Sequence, residues 1–146
     1  MRRDQGLVME ESEPLKKIVE GNKFKRSLKI SPDLVDSFAK LSGDYNPMHL
    51  NEEYAKSKGF PGRISHGNIL GMLISTLVGE ELPAKGVMIV SEKINFKKPV
   101  QLADEIDLFA KVVHLSEATR IVELQLEFKN SQDIKVASGS CQVKIL

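Results

Sequence analysis

The chain has 146 residues and a formal net charge of +1, which predicts a single domain and argues against nucleic acid binding through bulk charge. Its composition, 41% hydrophobic and 28% charged, is typical of an ordinary globular protein. The single cysteine, Cys141, excludes a disulfide framework and fits a reducing compartment. No apolar run is long enough to cross a bilayer and the amino terminus does not resemble a targeting segment, so we expect a cytoplasmic protein without a membrane partner.

The first part of the chain predicts an arm, a strand and a helix. Residues 1–20 are expected to form a flexible arm, and residues 21–146 the domain. Phe24–Ile30 alternates polar and apolar residues, as a strand does. The helix that follows starts at Ser31 and has Pro32 in its first turn.

The middle of the chain predicts a short helix and then a buried one. Asn51–Lys58 is expected to be helical, with Asn51 as its cap. Gly67–Val78 is apolar on nearly every side, which indicates a buried helix.

Four segments after Pro83 are rich in β-branched residues and predict strands. These are Val87–Phe96, Asp104–His114, Thr119–Phe128 and Ile134–Ile145. Helices followed by a run of strands predict an α+β fold, with a long antiparallel sheet curled around the buried helix.

Asp44 and His49 form a candidate acid/base pair. They lie five positions apart, and Pro47 between them prevents one continuous helix, so a tight turn could direct both side chains into one cleft. Histidine exchanges protons near neutral pH, and a neighbouring carboxylate can orient it or hold a water. In the alternative interpretation, Asp44 caps a turn and His49 lies on the surface. Asn46 fits turn chemistry in either interpretation, and could also hydrogen-bond across the loop.

His66 and Gly67 stand at the predicted start of the buried helix. The first amides of a helix lack intrahelical partners, so they can bind developing negative charge, and Gly67 would let a ligand oxygen approach closely. Alternatively, Gly67 only permits a sharp turn into the helix, and His66 is packed there. Small residues recur along the same helix face, at Gly67, Gly71, Ser75 and Gly79. This stripe predicts close packing on the sheet, or a slot for a thin apolar chain with Ser75 as its polar group.

The sequence offers little support for a metal or a cofactor. The three histidines are widely spaced and no metal-binding motif is present, so we expect no metal site. Neither common phosphate-binding loop occurs, and neither does a nucleophile elbow, so we expect no cofactor. Arg63, Lys93, Lys97 and Lys98 could meet substrate phosphates, although surface lysines are commonly only solvated.

Several segments together resemble the MaoC-like (R)-specific enoyl-CoA hydratases. They are Ser42–His49, Phe60, Ile64, His66-Gly67, Leu82-Pro83, Phe96–Val100 and Asp104. The similarity covers roughly residues 25–145, and the Asp-x-Asn-Pro-x-His element is specific for this group. Two positions depart from the usual pattern, Ala103 and Ser65.

The resemblance implies a hot-dog fold, a homodimer or dimer of dimers, and reversible syn hydration of trans-2-enoyl thioesters to (R)-3-hydroxyacyl thioesters. It implies that Asp44 and His49 are catalytic and that the Gly67 amide binds the thioester carbonyl. His66, Asn46 and the matching active-site serine, Ser75, are expected at the substrate site. The thioester partner could be an acyl-CoA or an acyl carrier protein.

Two other functions fit these residues less well. Many hot-dog thioesterases, and the acyl-carrier-protein dehydratases of another subfamily, place a catalytic carboxylate on the central helix. Asn68–Gly79 contains none, so that chemistry is disfavoured. A subunit that binds acyl thioesters without turnover would often lack Asp44 or His49, and both are present.

Overall fold

The computed structural model describes residues 15–146. Residues 1–14 of the predicted arm lie outside the described residues. The remainder of that segment begins with a 3₁₀ turn at Leu15–Lys17, and Ile18 is 2% exposed within the hydrophobic core. Burial of this apolar side chain stabilises the packing of the segment on the core. The packed domain therefore begins upstream of the predicted boundary at residue 21.

Four α-helices precede the long strands: α1 (Pro32–Ser42), α2 (Pro47–Leu50), α3 (Glu52–Ser57) and α4 (Ile69–Thr76). The Ser31 side chain caps α1 and the Asn51 side chain caps α3, as predicted. The short helix α2 was not predicted. Within residues 15–146, no helix has both the length and the apolar character needed to cross a membrane.

The predicted central helix has different ends in the structure. Gly67 and Asn68 form a turn, so α4 begins at Ile69 rather than at Gly67. Beyond Thr76 the helix continues as a π-helix over Leu77–Glu81. The apolar residues Leu77 and Val78 continue the pattern across the change to a π-helix, so composition alone could not locate that change.

Five strands form one antiparallel sheet in the order β1-β3-β4-β5-β2. They are β1 (Lys23–Lys29), β2 (Val87–Phe96), β3 (Glu105–Ser116), β4 (Ile121–Asn130) and β5 (Lys135–Ile145). The predicted α+β architecture is therefore confirmed, and no strand end is shifted by more than two residues.

One face of the sheet and α4 share a single hydrophobic core. The buried residues of α4 (Ile69, Leu70, Leu73, Ile74) belong to the same cluster as alternating residues of β3, β4 and β5. The opposite sheet face carries the polar members of the alternation, such as Gln125 and Lys111. The sheet thus covers one side of the apolar helix α4. The amino end of this helix lies close to the surface.

Gly139 permits the pairing of β5 with the edge strand β2. A Cβ atom at this position would lie 1.9 Å from the backbone oxygen of Lys93, and a backbone atom cannot move away as a flexible side chain would. We expect Gly139→Ala to lower the free energy of unfolding by about 3 kcal/mol, the upper range for overpacking. Gly79→Ala is the control, because an added Cβ there meets nothing within 4 Å. Equal denaturation midpoints for the Gly139→Ala variant and the parent would contradict this packing argument.

Candidate active site

The end of α1 positions Asp44. Gly43 closes the helix in the left-handed conformation, with φ of 79°, and its amide donates to the Ala39 oxygen. Glycine adopts this geometry without the steric cost of a side chain. The Asp44 Oδ1 atom then accepts a hydrogen bond from the Asn46 amide at 3.1 Å. The second carboxylate oxygen, Oδ2, is directed toward two imidazole rings.

Asn46 holds the same turn from its other side. Its side-chain oxygen accepts from the Met48 amide at 3.1 Å and so caps α2. Pro47 occupies the first position of that helix, where a missing N–H has no cost. Asn46 is therefore engaged in shaping the loop that joins Asp44 to His49.

His49 lies on α2 with its side chain turned inward, 13% exposed. Its Nδ1–H group donates to the Ile64 oxygen at 2.8 Å, because a carbonyl can only accept. The neutral ring then carries its lone pair on Nε2. That atom lies 4.0 Å from Asp44 Oδ2, a separation that a water about 2.8 Å from each atom can bridge.

His66 is the buried support of the pair. It is 2% exposed, and its Nε2–H donates to the Asp44 backbone oxygen at 3.0 Å. Its ring stacks on His49 with centroids 3.9 Å apart and contacts Phe38 at 4.8 Å. The Nδ1 atom is buried and has no hydrogen-bond partner. His66 therefore connects the Asp44 turn to the amino end of α4, as the interpretation of a packed histidine at the helix start predicts.

Arg63 joins the helices around His49 and was not predicted to do so. Its Nε donates to the His49 backbone oxygen at 2.6 Å, and its guanidinium pairs with Asp36 of α1 at 2.5 Å. The Arg63 amide donates to Glu52 at 3.1 Å, and this hydrogen bond, with Lys56 nearby, holds the pKa of Glu52 below its usual range. Because the guanidinium is engaged inside the protein, Arg63 has little freedom to meet a substrate phosphate.

Gly67 follows His66 directly and borders a cavity of about 300 Å³. The lining consists of Ile64, Ser65, His66, Gly67, Leu70, Phe96, Lys97, Lys98, Pro99 and Val100. A Cβ at Gly67 would lie 3.0 Å from the Phe96 ring, so glycine provides the space between backbone and ring. Asn68, at the helix start, makes no side-chain capping bond, and within residues 15–146 neither the Gly67 nor the Asn68 amide donates a hydrogen bond.

Ser75 lies apart from this cluster. It is exposed on α4, eight positions beyond Gly67 and about 12 Å along the helix axis. It does not line the cavity. The small-residue face between them approaches β2, since a Cβ at Gly71 would lie 3.9 Å from the Glu92 carboxylate.

Three side chains of the kinds that bind metal ions lie close together despite their wide spacing in the sequence. Asp44, His49 and His66 each offer an atom within 4.8 Å of the others, so the wide spacing of the histidines was a poor guide to their separation in space. One nitrogen of His66 is already engaged in a hydrogen bond, however. The Nε2 atom of His66 carries the proton donated to the Asp44 oxygen, and a protonated nitrogen cannot coordinate a metal.

Comparison with known proteins places the chain in context. The model of the family described as MaoC like domain matches residues 15–132. An (R)-specific enoyl-CoA hydratase from Aeromonas caviae is 33% identical over 125 residues, covering 86% of this chain and 93% of the relative. A mitochondrial 3-hydroxyacyl-[acyl-carrier-protein] dehydratase from Arabidopsis thaliana is 28% identical over 122 residues, covering 82% and 72%.

The solved structure of the (R)-hydratase from Aeromonas caviae involved in PHA biosynthesis superposes with a TM-score of 0.85. It is 31% identical and covers 90% of this chain and 99% of that one. The five-stranded antiparallel sheet packed on α4 agrees with this likeness. On these grounds the chain belongs to the MaoC-like domain family and has the hot-dog fold.

Proposed function

We propose that the protein is a hydro-lyase that reversibly hydrates trans-2-enoyl thioesters to (R)-3-hydroxyacyl thioesters. The observation that carries the proposal is the geometry of Asp44 and His49. Asp44 Oδ2 and His49 Nε2 face each other at 4.0 Å, and each retains a lone pair for a shared water. The relatives named as hydratases and dehydratases support the same reaction class.

In the proposed reaction the water oxygen bonds to C3 of the enoyl group. One water proton passes to the Asp44–His49 pair, C2 receives a proton, and the double bond is lost. Both proton transfers are assigned to the pair as one unit. Dehydration follows the same steps in reverse.

The Gly67 amide is proposed to stabilise the charge that develops during addition. Attack at C3 moves electrons onto the thioester oxygen, and a fixed N–H donor aimed at that oxygen lowers the barrier. The amide is free of other partners within the described residues, and it sits one residue from His66. The helix dipole of α4 adds to the positive potential there.

The remaining predicted residues have supporting roles in this proposal. His66 holds Asp44 and His49 in their relative positions, through its hydrogen bond to Asp44 and its ring stacked on His49. Asn46 fixes the loop between them. Ser75, further along α4, would meet the distal part of the acyl chain.

Hydration and thioester hydrolysis give different products, so one assay separates them. Adding the protein to crotonyl-CoA should bleach the ultraviolet absorbance of the conjugated enoyl thioester while free thiol stays constant. Chiral analysis should then identify the (R)-3-hydroxy product. Thiol release that accompanies the bleaching would establish a thioesterase instead, because hydrolysis also destroys the conjugated thioester, and no change in either signal would refute turnover of this substrate.

A thioesterase is the second candidate function, and the residues of α4 disfavour it. Ile69–Thr76 contains no carboxylate, so the helix lacks the base or nucleophile that many hot-dog thioesterases use. An acyl-carrier-protein dehydratase would use the same residues in the dehydration direction. The two directions differ in the pathway that supplies the substrate, and the Asp44–His49 geometry serves both.

We further propose that the protein forms a homodimer through β2. This strand lies at the edge of the sheet, where unpaired backbone groups can accept another strand. Three large apolar side chains on it are exposed: Met88 at 51%, Val90 at 49% and Phe96 at 56%. We expect sedimentation equilibrium to give twice the 16.3 kDa chain mass, and Val90→Lys to shift the protein toward monomer. A monomeric parent protein at micromolar concentration would refute this.

A further inference from the structure

The face of the sheet opposite α4 carries a groove that the proposed reaction does not use. Its volume is about 690 Å³, within the range of about 300–1,000 Å³ that is usual for small-molecule sites. Ser138, Gly139 and Ser140 of β5 have small side chains or none, which opens space between their longer neighbours. The charged residues of the lining are four lysines and one carboxylate: Lys23, Lys93, Lys111, Lys135 and Glu127. The groove therefore favours a negatively charged ligand.

Part of the positive charge on this face is already neutralised within the protein. Lys135 pairs with Glu127 at 2.7 Å, and Lys25 pairs with Asp107 at 3.1 Å. The remaining lysines of the groove form no ion pair with an acidic side chain of residues 15–146. They are Lys23, Lys93 and Lys111.

Two of these unpaired lysines directly face each other. Lys23 of β1 and Lys111 of β3 are Cα partners in the antiparallel ladder, and both are exposed. Side chains at such positions project from the same face of the sheet, and like charges directly opposite each other destabilise the strand pair. An anion bound between the two ammonium groups would remove this repulsion. The Lys23–Lys111 pair is therefore the part of the groove best suited to bind negative charge.

Neutral polar side chains continue the same row on the next two strands. Lys111 is paired with Gln125 of β4, and Gln125 is paired with Ser140 of β5. Because neighbouring strands lie about 4.8 Å apart, the row from Lys23 to Ser140 is about 14 Å long, measured along the sheet. The amide of Gln125 and the hydroxyl of Ser140 can each donate and accept hydrogen bonds. A ligand that fits this row is anionic at one end and neutral and polar at the other.

We propose that this row binds a nucleoside triphosphate, with its phosphates on Lys23 and Lys111 and its nucleoside toward Gln125 and Ser140. Lysine binds phosphate as a point charge, so the site needs no phosphate-binding loop. The row lies on β1, β3, β4 and β5 and does not include β2, the edge strand of the proposed dimer. It is also separate from the cavity beside Gly67, since none of its residues lines that cavity. The inference therefore does not depend on the proposed reaction.

Titration calorimetry with ATP tests the site, and Lys23→Ala/Lys111→Ala is the deciding variant. We expect its Kd to be about tenfold weaker than that of the parent, or about threefold for each lysine. Lys23→Arg/Lys111→Arg keeps both charges and should bind nearly as tightly as the parent. The matched control is Lys16→Ala/Lys17→Ala, which removes two exposed lysines that do not line the groove. The Kd of this control should equal that of the parent.

Two further measurements check where ATP binds and whether the variant is folded. In NMR spectra, ATP should shift the backbone amide signals of Lys23, Lys111, Gln125 and Ser140, and leave the signal of Gly67 unchanged. ATP should also raise the melting temperature of the parent more than that of Lys23→Ala/Lys111→Ala, because a ligand stabilises the folded state in proportion to its binding. Equal melting temperatures without ATP would show that the variant remains folded.

Several results would overturn the proposal. Equal Kd values for the parent and Lys23→Ala/Lys111→Ala would exclude the two lysines, and an equal loss of affinity in the Lys16/Lys17 control would show that net charge alone acts. Shifts centred on Gly67 would place ATP in the cavity instead. Inorganic tripolyphosphate that binds as tightly as ATP would reject a nucleotide as the ligand. Absence of saturable binding at millimolar ATP would refute the site altogether.

Discussion

Replacing Asp44 with Asn, or His49 with Gln, should lower kcat for crotonyl-CoA hydration by about 10²–10⁴, the range for loss of a general acid/base group. Asn cannot exchange a proton at neutral pH, although it keeps the size of Asp. Gln likewise removes the Nε2 lone pair that faces Asp44 at 4.0 Å. The effect should fall on kcat more than on KM, because the lost interaction is made in the transition state.

Two controls accompany these variants. Asp33→Asn changes an exposed carboxylate in the first turn of α1, and His114→Gln changes an exposed imidazole on β3. Both should keep the parent rate. Thermal unfolding should show that the Asp44 and His49 variants remain folded. Near-parent kcat in either of these folded variants would show that the pair does not carry the chemistry.

Gly67→Pro should have the second large effect, a loss of about 10²–10³ in kcat, comparable to removing one oxyanion donor. Proline lacks the N–H group that we propose binds the thioester oxygen. Gly67→Ala provides the comparison, since it keeps the N–H. Its Cβ would lie 3.0 Å from the Phe96 ring, so the ring must move by a few tenths of an ångström to accept it.

The difference between the two Gly67 variants is the informative quantity. If the amide is the donor, Gly67→Ala should retain far more activity than Gly67→Pro at similar melting temperatures. Equal losses would indicate that crowding against Phe96 causes both effects. Equal retention of the parent kcat would exclude the Gly67 amide from the reaction.

The fold was largely predictable because its determinants are local. The alternation in Val122–Phe128 sets the buried face of β4, and Ser31 and Asn51 cap their helices as their side chains dictate. The mostly apolar Ile69–Val78 segment was predicted to be buried, and its largest side chains do lie in the core. The ends of α4 were less predictable, because no capping side chain marks its start and its apolar character continues into the π-helix.

The arrangement of the site depends on contacts that sequence spacing does not encode. Asp44 and His49 were identifiable as a pair because one proline-containing turn joins them. The hydrogen bond from His66 to Asp44 spans 22 residues, and the Arg63 contact with Asp36 spans 27. Such contacts form only when α1, α2 and the start of α4 pack together, since helix packing sets which distant side chains meet.

Local pattern therefore determined the elements, the buried face of each strand and the residues able to move a proton. Packing decided that His66 supports those residues and that Arg63 faces inward, while Lys97 and Lys98 remain exposed at the cavity mouth. The physical reason is the distance along the chain over which each effect acts. Propensity and capping act over a few neighbouring residues, whereas burial, stacking and ion pairing depend on which segments the folded core brings into contact.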